Sequence, residues 1–152
     1  RVTSDNPLID PQIVDQTISL FIKSKADYTS NNLKKSYPWG MDVEVISFGS
    51  LSQAWKDAVK KSDREHVTQF IRSQPDQFYL TNLEAIDKNH DIRITLDDKN
   101  DYFLLKKIFE TLGDDAMYGN IINLFNDQPE LYLINKETCL LHKKYNTSLD
   151  II

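Results

Sequence analysis

The 152 residues carry 18 Lys and Arg against 23 Asp and Glu, a formal charge of −5, and 40% of them are apolar. That length and apolar fraction suit one globular domain; the acidic balance argues against a nucleic-acid binder that works by neutralising phosphates, and no apolar run reaches membrane-spanning length. The lone Cys139 leaves no partner for an internal disulfide, which fits a reducing cytoplasm.

In chain order, Arg1-Val2-Thr3-Ser4-Asp5 reads as the tail of a buried strand that delivers a carboxylate at its end. Open α/β sheets hold ligands outside the carboxyl ends of their strands, so this edge is where a site is expected. A helix is predicted over 11–22, with Asp10 as N-cap, Pro11 at its first position, and Ile13, Val14, Thr17, Ile18, Phe21 and Ile22 at helical spacing. Residues 26–30 read as a short extended segment. Residues 31–40, broken by Pro38 and Gly40, read as a loop and a candidate substrate arm.

Residues 41–48 alternate acidic with apolar in their first half, the period of a half-buried strand, which sets Asp42 and Glu44 on one face. That face is either solvated or a pair of site carboxylates. Ser50 is placed to cap a helix whose core stripe is Leu51, Ala54, Trp55, Ala58 and Val59, with Lys56, Lys60 and Lys61 in water. A second helix is predicted over 63–72, capped by Asp63 and ended at Ser73-Gln74-Pro75, with Arg64 and Thr68 sharing a face.

Residues 78–84 and 91–96 carry strand-like alternation, as an antiparallel pair or as neighbours in a mixed sheet. The second run ends in Asp97-Asp98-Lys99-Asn100-Asp101 and enters a helix with Leu104, Leu105, Ile108, Phe109 and Leu112 inside. Asp98 as cap and Asp101 in the first turn need no chemistry to explain them, and Asp97 is left over. The remainder reads as two short helices, over 117–125 and 127–134, and a polar docking tail through 152.

A magnesium site needs only one or two carboxylates, because waters and substrate phosphates complete the octahedron. Asp5 and Asp97, each after a strand-like run, meet that description. Zinc-ligand spacing and a Walker-type loop are missing from the sequence, and four glycines do not make a phosphate cradle. His66, His90 and His142 are scattered and no nucleophile elbow occurs, which disfavours hydrolytic triads.

Four blocks in one order carry a resemblance. They are Arg1-Val2-Thr3-Ser4-Asp5-Asn6-Pro7-Leu8-Ile9-Asp10-Pro11, Tyr37-Pro38-Trp39-Gly40-Met41-Asp42-Val43-Glu44-Val45, Arg64-Glu65-His66-Val67-Thr68 and Ile92-Arg93-Ile94-Thr95-Leu96-Asp97. Together, over residues 1 to about 112, the chain resembles the sugar-nucleotide cytidylyltransferase family in its spore coat polysaccharide biosynthesis F branch, related to the acylneuraminate and deoxyoctulosonate cytidylyltransferases.

The resemblance implies a three-layer α/β/α fold of the nucleotide-diphospho-sugar transferase, GT-A-like type. It also implies a cytoplasmic enzyme that activates an acidic or amino sugar with CTP to a CMP-sugar for surface polysaccharide. Asp5 and Asp97 match the catalytic carboxylates that hold Mg2+ against the nucleotide phosphates. Asp42, Glu44, Arg64, Glu65 and His66 fall where the family lines the sugar side, and a planar guanidinium such as Arg64 suits an anionic sugar group. The family's Gly-rich, Arg/Lys-bearing phosphate loop is expected before Arg1, so residues 1–152 are expected to be the N-terminally truncated, C-terminal part of one such domain, silent alone.

Two departures bear on substrate: Trp39 stands where many relatives carry a basic residue, and residues 97–101 depart from the family's Asp-Thr-Pro-Glu-Asp. Two other readings remain open, a GT-A-type glycosyltransferase and a non-catalytic dimerisation or sugar-binding module. Neither nucleic acid nor membrane is an expected partner, and a homodimer is the one protein partner considered.

Overall fold

The structure, a computed structural model, describes residues 1–149, and the side chains of residues 1–142. Its elements in chain order are α1 (Pro11–Ser24), β1 (Tyr28–Ser30), β2 (Glu44–Ile46), α2 (Phe48–Asp57), α3 (Lys61–Glu65), α4 (Gln69–Arg72) and β3 (Leu80–Asn82), then α5 (Lys99–Leu112), a 3-10 turn (Gly113–Asp115), α6 (Tyr118–Asp127), α7 (Leu131–Ile134) and α8 (Lys136–Leu149). Helices with a mixed sheet make this an α/β fold. Two compact units share the chain: the first is Arg1–Thr3, Pro11–Tyr37 and Asp42–Lys88, the second Ser4–Asp10, Pro38–Met41 and Asn89 onward. Among the described residues, no helix is long and apolar enough to cross a membrane.

In the first unit the strands run in the order β2-β1-β3, β1 antiparallel to β2 and parallel to β3, with Tyr28 opposite both Ile46 and Leu80. All three residues of the central β1 are buried. Tyr28, Ala54, Ile71 and Phe78 form the core beside it, with the Phe70 and Phe78 rings edge to face at 6.1 Å. α1 forms as its periodicity predicts and buries Ile13 and Thr17, the Thr17 hydroxyl donating to the Ile13 carbonyl at 2.7 Å.

Three expectations in this unit are corrected. β2 is only the centre of the strand predicted over 41–48. α2 starts earlier than predicted, because Ser47 is the cap: its Oγ accepts from the Ser50 N–H at 3.0 Å. The buried line of that helix then runs through Ser50 and Ala54 and on to Ala58, while Trp55 and Val59 are exposed. The helix predicted over 63–72 is two short ones, since Val67 between them takes a positive φ of 45° that a β-branched residue adopts only under constraint. The constraint is visible next door, where the buried Thr68 hydroxyl donates to Glu44 Oε1 at 2.7 Å.

No strand forms over 1–5, nor in the second unit over 91–96. The latter is extended and joined to Trp39 by a parallel bridge at Arg93, the Trp39 N–H donating to the Ile92 carbonyl at 2.9 Å and the Ile94 N–H to the Trp39 carbonyl at 2.7 Å. Gly40 makes that contact possible, since a Cβ there would meet the backbone of Ile94 and Thr95. α5 is capped by Asp98 as predicted, its Oδ1 accepting from the N–H groups of Asn100 and Asp101 at 2.8 and 3.0 Å. Leu104, Leu105 and Ile108 are buried, whereas Phe109, expected inside, is 44% exposed.

Asp10, just before α1, is buried, and its Oδ2 accepts from the first N–H of α6, at Tyr118, 2.9 Å away. The segment read as a polar docking tail is α8 as far as Leu149; residues 150–152 lie outside the described residues.

Candidate functional site

The second unit brings the two predicted metal carboxylates onto neighbouring stretches of backbone. The Asp5 carbonyl accepts from the Leu96 N–H at 2.8 Å and from the Thr95 hydroxyl at 3.1 Å, and Asp97 follows directly. Neither aspartate ends a strand, contrary to the sequence reading; single hydrogen bonds rather than a ladder hold the two stretches together.

Their side chains differ. Asp5 Oδ1 is buried and receives no hydrogen bond. A buried carboxylate oxygen left bare costs several times a typical hydrogen bond, so such an atom marks a place for a cation or a water. Asp97 has a side chain 39% exposed, and one of its oxygens, Oδ2, is engaged by Arg93 Nη2 at 2.5 Å with His142 Nε2 at 3.9 Å.

The donor chemistry fits magnesium, a hard cation that takes one or two carboxylates and keeps water in its remaining positions. Among the described residues, no group of three or more His, Cys, Asp or Glu converges as a fuller metal cage would need.

Beneath Asp97 lies a network that the sequence reading missed. Arg93 and Asp101 are buried, with Arg93 Nε and Nη2 donating to Asp101 Oδ1 and Oδ2 at 3.1 and 2.8 Å. Burial opposes the Arg93 charge, but the bonds to Asp101 and Asp97 outweigh it and hold the guanidinium more basic than usual. Asn135, also buried, donates to Asp101 Oδ1 at 2.8 Å and to the Arg93 carbonyl at 3.1 Å. The sequence signal is conditional: an arginine between Ile92 and Ile94 in an extended run, if buried, requires a buried carboxylate partner.

The predicted sugar-side residues lie in the first unit. Glu44 is 4% exposed, with Oε1 accepting from the Tyr28 hydroxyl at 2.6 Å and from Thr68, and Oε2 paired with the Arg1 guanidinium. Burial raises the cost of its charge, and the bonds from Tyr28, Thr68 and Arg1 more than offset this, so its carboxyl sits below the usual range. Both oxygens are thus committed within the protein.

Asp42 differs: burial pushes its carboxyl above the usual value, against the opposing influence of Asn32 and Lys35. Arg64, Glu65 and His66 are exposed on α3 and at its end. Arg64 Nη1 donates to the Trp55 carbonyl at 2.8 Å, not across a shared helical face to Thr68.

Residues 1–138 match the model of a family described as Cytidylyltransferase. An uncharacterized protein of Methanocaldococcus jannaschii is 34% identical over 140 residues, which is 89% of this chain and 56% of that protein. The spore coat polysaccharide biosynthesis protein SpsF of Bacillus subtilis is 30% identical over 135 residues, 86% of this chain and 55% of that one. The chain therefore spans about half the length of the curated relatives it matches. In fold it is similar to the solved structure of a cytidylyltransferase from Leptospira borgpetersenii, with a TM-score of 0.79 at 23% identity over 84% of this chain and 55% of that one.

Proposed function

Since the chain belongs to the cytidylyltransferase family, we propose that the whole protein transfers the cytidylyl group of CTP to a sugar, an acidic or amino sugar destined for surface polysaccharide. A sugar hydroxyl oxygen bonds to the α-phosphorus of CTP, the bond from that phosphorus to the bridging oxygen breaks, pyrophosphate leaves, and the hydroxyl proton passes to solvent. The observation that carries the reading is the buried, unpartnered Oδ1 of Asp5 on the backbone stretch hydrogen-bonded to Thr95 and Leu96, next to a half-exposed Asp97.

Asp5 and Asp97 are assigned to Mg2+, which when bound neutralises phosphate charge as pyrophosphate departs. The protein's part is to hold two carboxylates in place: Thr95 and Leu96 fix the backbone of Asp5, and Arg93 fixes Asp97. For the sugar, Arg64, Glu65 and His66, all exposed, and the partly buried Asp42 are the remaining members of the first unit's set, and loss of Arg64 is expected to raise KM for the sugar. Glu44 is assigned to holding β2 and Thr68 in place. SpsF, named for spore coat polysaccharide biosynthesis, supports the choice of pathway class.

The test is pyrophosphate release by the whole protein given CTP, Mg2+ and a panel of acidic and amino sugars. Asp97→Asn keeps the shape and removes the charge, so turnover is expected to fall by roughly a hundredfold or more with little change in melting temperature. Undiminished magnesium-dependent release by that variant would remove Asp97 from the mechanism.

A further inference from the structure

We propose that Arg93 is a positioning residue for Asp97, and that Asp101 is the buried counter-charge that stops Arg93 from cancelling the charge it positions. The proposal rests on the assignment of Asp97 to a divalent cation.

The geometry is a three-charge relay with an inner and an outer end. Asp101, fully buried, accepts four hydrogen bonds: Arg93 Nε at 3.1 Å, Arg93 Nη2 at 2.8 Å, Asn135 Nδ2 at 2.8 Å and the Asp97 N–H at 3.1 Å. Arg93 is held to that carboxylate through two of its nitrogens and lies over the Trp39 ring at 5.8 Å from its centroid. The same Nη2 that serves Asp101 reaches outward to Asp97 Oδ2 at 2.5 Å.

A fold staple would need only the buried Arg93–Asp101 pair. The third member is different, because its side chain stands 39% exposed and would otherwise sample several rotamers. Holding Oδ2 from below fixes the carboxylate plane and leaves Oδ1 as the oxygen free for a cation.

Charge decides why two aspartates are needed. A guanidinium facing Asp97 alone would make a neutral pair with little attraction for a dication. With Asp101 included, one positive charge stands between two negative ones and the group keeps a net charge of −1. That charge resides at its solvent end, since Asp101 is enclosed. Lysine cannot substitute: a single ammonium lacks the planar fork that binds Asp101 side-on while reaching Asp97.

Mn2+ binding to the whole protein, followed by electron paramagnetic resonance of the free ion, reads this directly. Arg93→Lys is expected to weaken Mn2+ by about tenfold, within the usual scale for residues that orient a metal ligand. Asp97→Asn is the reference. If it binds Mn2+ as wild type does, the cation assignment fails and the positioning role goes with it. If Asp97→Asn loses Mn2+ and Arg93→Lys does not, only the positioning role is overturned.

A second measurement needs no variant at Arg93. The Arg93 Nε–H resonance of the wild-type protein should shift as Mg2+ is added and should not shift in Asp97→Asn. A resonance that stays still at saturating Mg2+ overturns the proposal even if Arg93→Lys fails to fold.

Discussion

Gly40→Ala tests whether the crossing of residues 38–41 over 92–95 holds the second unit's site together. Gly40 has a φ of +105°, and a Cβ built on it would lie 2.7 Å from Ile94 C, 2.7 Å from Thr95 N and 2.8 Å from Ile94 O. All three are backbone atoms, and they cannot swing aside as a side chain would. Ile94 N–H is bonded to the Trp39 carbonyl at 2.7 Å, and Thr95 and Leu96 hold the Asp5 carbonyl. The left-handed backbone costs an alanine roughly 1–2 kcal/mol and overpacking adds roughly 1–3 kcal/mol. For a chain of this length, where each kcal/mol moves the melting temperature by roughly 2–4 °C, the drop should be roughly 4–20 °C. Thermal unfolding followed by circular dichroism measures it. A variant melting within about 2 °C of wild type would mean that the two stretches are not in the close contact on which the site's geometry depends.

Gly119→Ala is the matched control: it lies exposed in α6, nothing stands within 4 Å of its added Cβ, and helix propensity predicts a gain of up to about 1 kcal/mol, so a lower melting temperature would contradict the assignment of α6. Tyr28→Phe removes one donor from Glu44 and should cost roughly 1.5–3 kcal/mol at neutral pH, the range for a hydrogen bond to a charged group. Glu44 has a folded pKa below its ordinary value of 4.5, so the stability it contributes is present above 4.5 and is lost as pH falls through the lowered folded value. The gap between wild type and Tyr28→Phe in urea unfolding should therefore shrink at acid pH, and a gap unchanged on acidification would show that Tyr28 acts through packing alone.

Local signals were read correctly where local physics decides. Pro11 at the first helical position with Ile13 and Thr17 one turn apart is sufficient for α1, and Asp98 two and three residues before the N–H groups it accepts is sufficient for the start of α5. In α2 local rules were ambiguous rather than wrong. Ser47 and Ser50 are both competent caps, and Leu51, Trp55 and Val59 run beside the small-residue line that is actually buried. Side-chain size misled, because small residues permit close approach.

The break at Val67 and the Arg93 network belong to another class, since both are imposed from far along the chain. Thr68 is drawn to Glu44, 24 residues away, and that demand overrides a helical pattern that is locally adequate. Asp101 reads as a residue favouring a helix N-terminus, and it occupies that place; three of its four hydrogen bonds come from Arg93 and from Asn135, 34 residues beyond. One rule would have recovered this pair without coordinates. An arginine flanked by isoleucines in an extended segment is buried with them or points away from them. If buried, it requires a carboxylate that is buried too. Of the acids that follow, Asp98 is already used as a cap and Asp97 sits where solvent is expected, which leaves Asp101. The carboxylate most easily explained as structural is then the one that determines how much negative charge Asp97 retains.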